Sequence, residues 1–132
     1  MTVTGIPTYG VTLYVRLNYE MNSTWSHIDY TYKESGTPVP PSMISPTSRS
    51  TLSGSSVTFT WKPGGGSTGF VLYVGTLGVG SQNIYAGSYS TANTLTVSGI
   101  PTNGSTIYVE ISYQMSGVYS SVNYQYTEAA GN

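Results

Sequence analysis

The groups able to do acid–base or metal chemistry in this 132-residue chain are few: one histidine, His27, one aspartate, Asp29, four glutamates and no cysteine. Without cysteine there is no disulfide framework, no thiolate metal site and no Cys/His nucleophile pair. A three-histidine zinc site is excluded by count. His27 and Asp29 stand two residues apart, so on a strand they share one face and can touch. A Ser/His/Asp set would have to draw two of its members from that single strand. The pair reads as charges on a solvated face, not as an acid–base or metal site. Glycoside hydrolysis needs two acids flanking a cleft, and Glu110 and Glu128 give no sign of that arrangement. The expectation is a non-enzymatic protein with no catalytic, cofactor or metal residues.

The glycine stretches Gly64-Gly65-Gly66 and Gly75-Thr76-Leu77-Gly78-Val79-Gly80 open no helix and lack a following Lys-Ser/Thr, so they read as turns and not as phosphate cradles. Asn22-Ser23-Thr24 and Asn103-Gly104-Ser105 match the N-glycosylation acceptor, which makes Asn22 and Asn103 candidate glycan sites. Five aromatics expected to point outward, Tyr14, Trp25, Tyr73, Tyr108 and Tyr119, could stack on sugar rings. Tyrosine and tryptophan also favour strands for packing reasons alone.

Charged residues make up 7% of the chain and the formal net charge is −1, so no basic field exists for nucleic acid or an anionic membrane. The N-terminal segment lacks the basic flank and apolar run of a signal peptide, and no stretch approaches the ~20 apolar residues of a membrane span. Thirteen tyrosines and sixteen glycines give a strand- and turn-rich profile typical of secreted modules.

The elements that must position these groups are strands. Met1 to Gly5 has a short β-branched alternation, ended by Ile6-Pro7. From Thr12 to Glu20, Leu13, Val15, Leu17 and Tyr19 fall on one face and Tyr14, Arg16, Asn18 and Glu20 on the other. Asn22-Ser23 turns the chain, and the return strand places Ser26, Ile28, Tyr30 and Tyr32 inward. Residues 35–42, SGTPVPPS, read as a stiff proline-rich linker or as the loop before a first strand. An edge strand at 43–45 ends at Pro46. Val57, Phe59 and Trp61 mark a buried strand face, Phe70 to Gly75 is apolar on both faces, and Asn83 to Ser90 reads as a further strand.

The chain spells its last part twice. Residues 95–128 repeat residues 1–34 without an insertion, and about half the positions are identical. Gly5-Ile6-Pro7-Thr8 matches Gly99-Ile100-Pro101-Thr102, Tyr14-Val15 matches Tyr108-Val109, and Tyr30 and Tyr32 match Tyr124 and Tyr126. His27 and Asp29, by contrast, fall opposite Ser121 and Asn123.

Trp61 on the second strand, the absence of helix patterns and the segment LTVSGIPTNGSTIYVEISY together resemble a fibronectin type III or related immunoglobulin-like domain, of the kind strung in tandem in bacterial extracellular proteins. The resemblance implies an all-β, antiparallel, seven-stranded sandwich over 43–129. Residues 1–34 would then be a three-stranded half-repeat, the last three strands of a unit whose first four are missing.

That cut carries the functional expectation. Val3, Leu13, Val15, Leu17, Tyr19, Ile28, Tyr30 and Tyr32 would have no opposing sheet in their own unit, and burying such a face is worth several kcal/mol at about 25 cal/mol per Å². A neighbouring chain could cover it by strand or sheet complementation, an upstream part of a longer array could, or the half-unit could fold back. The reading that follows is a structural subunit of an extracellular or cell-surface filament, its partner being itself. The alternative is a carbohydrate-binding or spacer module of a larger secreted protein.

Overall fold

The computed structural model describes residues 1–130. Nine strands and no helix make up these residues, and every strand ladder is antiparallel. β1 (Thr12–Met21) and β2 (Thr24–Lys33) form a two-stranded ribbon. β3 (Ser42–Ser45), β4 (Ser56–Lys62) and β7 (Thr94–Ser98) form a three-stranded sheet in the order β3-β4-β7. β5 (Gly69–Gly75), β6 (Tyr85–Ala86), β8 (Thr106–Met115) and β9 (Val118–Thr127) form a four-stranded sheet in the order β6-β5-β8-β9.

The core lies between the three- and four-stranded sheets. Alternation on β4 sends Val57, Phe59 and Trp61 inward, where they meet Phe70, Leu72 and Val74 of β5 and Ile107, Val109 and Ile111 of β8. Two edge-to-face aromatic contacts cross between the sheets, Phe59 on Tyr126 and Trp61 on Phe70, each with ring centroids 5.9 Å apart. On its outer face the smaller sheet carries a ladder of hydroxyls: Thr58 pairs with Thr96 at 2.7 Å and Thr60 with Thr94 at 3.1 Å. β5 is buried on both faces and runs between β6 and β8, as its unbroken apolar run demands.

One expected strand is absent and another is shortened. Met1 to Gly5 forms no strand. Its counterpart β7 is held by β4 in the opposite sheet, and no such strand stands beside the N-terminus. The stretch Asn83 to Ser90 is a strand only at Tyr85–Ala86. Its pairing with β5 starts at Val74–Tyr85 and Tyr73–Ala86, yet Phe70 bridges Ser90 where an unbroken ladder would bring residue 89. One extra residue therefore bulges out before the ladder resumes. The displaced Tyr89 lays its ring over Gly69 and donates its hydroxyl proton to Thr68 Oγ1 at 3.1 Å.

The linker is pinned to the sandwich. Val39 and Gly65 exchange both backbone hydrogen bonds, at 2.9 and 2.8 Å. The ring of Tyr9 packs where a Cβ on Gly65 would stand, and Val11 covers Gly66. Gly64 turns at φ +72° directly under the Val39 carbonyl, a position no side chain could share. The glycine triplet is thus a turn, as its sequence suggests, and also the seat on which the first hairpin and the linker rest.

Candidate functional site

The ribbon β1–β2 is a second copy of β8–β9. Leu13 faces Tyr32, Val15 faces Tyr30 and Leu17 faces Ile28 across the ribbon. Shifted by one repeat, Ile107 faces Tyr126, Val109 faces Tyr124 and Ile111 faces Val122. The hairpin turns agree as well: Asn22 and Ser23 have φ of 50° and 64°, Ser116 and Gly117 49° and 77°. Two successive left-handed residues are the mark of the tight turn that suits twisted strands.

A buried carboxylate closes each copy. Glu34 accepts the Tyr9 N–H at 3.3 Å, and Glu128 accepts the N–H groups of Asn103 and Ser105 at 3.1 and 3.3 Å. The Glu34 N–H donates to the Val11 carbonyl and the Glu128 N–H to the Ser105 carbonyl, again one repeat apart. Nothing in the local sequence marks these two glutamates as buried. The available signal was their retention in both copies of a chain so poor in charge.

What differs between the copies is cover. Val109 is 1% exposed and Val15 40%, Ile111 0% and Leu17 54%, Tyr126 2% and Tyr32 56%. In the closed copy β5 pairs along the free edge of β8, and β3, β4 and β7 lie across the inner face. Met43 N–H donates to the Tyr124 hydroxyl at 2.9 Å and the Tyr126 hydroxyl donates to the Pro46 carbonyl at 3.0 Å. In the open copy Val3, Ile28 and Tyr30 are exposed, while Leu13 and Tyr19 are half-buried. The sequence-derived assembly face is thus one contiguous surface along β1 and β2, with Val3 on the unpaired segment before it. A cleft of ≈ 390 Å³ lined by Tyr14, Val15, Arg16, Asp29, Tyr30 and Thr31 lies on this ribbon.

On the other face of the ribbon Arg16 makes a bidentate pair with Asp29, donating from Nε at 2.7 Å and from its terminal nitrogen at 3.0 Å. These hydrogen bonds hold the Asp29 carboxyl below the usual carboxylate range and raise the Arg16 guanidinium. His27 stands 3.7 Å from the same carboxylate. All three groups are well exposed, so the cluster is a surface ion pair across the ribbon, of a kind worth little in stability. The Arg16 partner was legible by counting back from the turn at 22–23, which places it opposite Asp29. No group of three or more histidine or acidic side chains among the described residues could hold a metal ion.

The five outward aromatics do not share one sheet. Tyr14 and Trp25 lie near opposite ends of the ribbon, Tyr14 beside Thr31 and Trp25 beside Glu20. Tyr73, Tyr108 and Tyr119 lie on the four-stranded sheet, with Tyr73 and Tyr108 on neighbouring strands and Tyr119 at the far end of β9. Asn22 and Asn103 are both exposed, and Asn103 uses its Oδ1 to accept the Ser105 N–H at 3.1 Å. No helix of the described residues is long and apolar enough to cross a membrane. No family model matches the chain, and no curated protein is similar to it in sequence.

Proposed function

We propose that this chain is a structural subunit of an extracellular filament or fibre built from immunoglobulin-like repeats, in which the open half-unit is completed by strands or a sheet face of a neighbouring unit. The observation that carries this reading is the pairing of an open hairpin with a closed one in the same polypeptide, alike in register, turn and carboxylate cap. An exposed apolar face of this size is an interaction surface. Repeated head-to-tail contact that does not close yields a fibre. The scarcity of acids, histidine and cysteine speaks for a mechanical role over a catalytic one.

Electron microscopy of the native material, with light scattering of the 132-residue chain, tests the reading. Fibres whose axial repeat matches whole repeat units are the expected outcome. A soluble monomer in the native material would instead favour a spacer or carbohydrate-binding module of a larger secreted protein.

A further inference from the structure

Within the structural reading above, the internal duplication identifies what covers the open ribbon. We infer that the ribbon β1–β2 takes a further copy of the segment Ser42–Thr94, supplied by an adjoining repeat unit and seated as Ser42–Thr94 seats on β8–β9 in this chain.

The closed copy is the template. Phe70, Leu72 and Val74 of β5 lie opposite Tyr113, Ile111 and Val109 of β8. One repeat earlier those three positions are Tyr19, Leu17 and Val15, each of matching character. The edge of β1 that corresponds to the β5-facing edge of β8 has no strand beside it. An incoming strand of β5 type would satisfy its backbone groups in the register already used at β8. The hydroxyls make the fit specific: Tyr30 stands where Tyr124 accepts the Met43 N–H, and Tyr32 where Tyr126 donates to the Pro46 carbonyl. Residues 1–5 also gain a partner. In the β7 position, Thr2 would face the incoming Thr58 as Thr96 does, and Val3 would face Val57 as Val97 does.

A count of parts excludes exchange between identical 132-residue chains. Each chain holds two hairpins that need cover, 12–33 and 106–127, and one segment, 42–94, that provides it. If that segment leaves β8–β9 for a neighbour's ribbon, it bares its own hairpin, and every assembly still has one open hairpin per chain. The cover must come from a unit whose own segment is not already engaged.

The test is a chain in which a copy of residues 38–94 is fused directly before Met1, studied by amide hydrogen exchange and light scattering beside the 132-residue chain. The expected result is a monomer in which the β1 and β2 amides gain protection to within about 10-fold of their counterparts in β8 and β9. Carrying L72D in the fused copy alone should abolish that gain while leaving 106–127 protected, which separates failure of seating from failure of folding. The inference is overturned if the β1 and β2 amides remain unprotected in the fused chain while β8 and β9 are protected. It is equally overturned if the 132-residue chain dimerises and protects those amides by itself, since a second copy is then the occupant. Closure of the fused chain beside native material that forms no fibre would support this pairing and remove the fibre role.

Discussion

Glu34 and Glu128 stand one repeat apart and perform the same task, each carboxylate accepting the backbone N–H of the residue twenty-five positions before it, Tyr9 in one case and Asn103 in the other. Glu128 also accepts from Ser105. A side chain that ties the end of one strand to the loop before the preceding strand fixes the hairpin's base, and burial makes its loss costly.

Glu128→Ala leaves the Asn103 N–H without its acceptor and takes one of two acceptors from the Ser105 N–H, and it should destabilise the 42–127 sandwich by roughly 1–3 kcal/mol, read from the urea midpoint. Glu34→Ala should leave that midpoint almost unmoved and speed amide exchange at Tyr9 instead, because the hairpin it closes is outside the sandwich core. Equal effects of the two substitutions would show that the hairpins unfold as one unit.

Phe59 is fully buried and meets Tyr126 edge to face across the sheets. Phe59→Ala should cost about 3–5 kcal/mol in the sandwich. Exchange at β1 and β2 should stay as in the parent chain, since Phe59 lies in a core to which the ribbon contributes no buried side chain. A large change in the ribbon would mean the two parts share their cooperativity.

Acid should loosen the ribbon before the sandwich. The folded Asp29 carboxyl titrates below its ordinary range because Arg16 hydrogen-bonds it, so its contribution is present above the unfolded carboxylate pKa, near 4, and is lost as the pH falls through the lower folded value. Asp29→Asn should remove this dependence, seen as protection of the residue 16 and 29 amides, relative to their intrinsic exchange rates, that stays level between pH 6 and pH 3. At the other end of the scale, burial and then the neighbouring Tyr124 raise the Tyr126 hydroxyl. Its contribution is present below the unfolded tyrosine pKa and declines above about pH 10, where the unfolded chain ionises and the folded one resists. Tyr126→Phe should lower stability by about 1 kcal/mol at neutral pH, through the lost bond to Pro46, and flatten the alkaline decline.

Alternation made β1 and β2 readable, as it did the buried face Val57-Phe59-Trp61 of β4, and the repeat carried the same reading to β8, because period 2 along a strand is a local property. The duplication likewise pointed to the open face. What could not be read there depends on partners distant in sequence. Met1–Gly5 has strand composition but no β4 beside it, and the bulge near Tyr89 arises from how Ser90 meets Phe70. The burial of Glu34 and Glu128 follows from loops folding over them, which no local pattern announces. The seat of Tyr9 on Gly65 was hidden for the same reason, since a glycine triplet looks alike whether its surface is bare or covered.

Gly65→Ala places a methyl group where the Tyr9 ring lies and should release the linker, with exchange of the Val39 and Gly65 amides at least about 10-fold faster and the sandwich still folded. Tyr9→Ala should have the same effect without altering the glycine turn. Slow exchange in both variants would show that the backbone pair holds without the ring.

The joint at Val39 and Gly65 is built of two main-chain hydrogen bonds, the Tyr9 ring over Gly65 and Val11 over Gly66. Any array that reused it would apply one fixed rotation and one fixed translation from each unit to the next, which defines a screw. Pitch and handedness would then be properties of a dipeptide-sized contact, and a substitution there would rewind the whole array while leaving every unit intact.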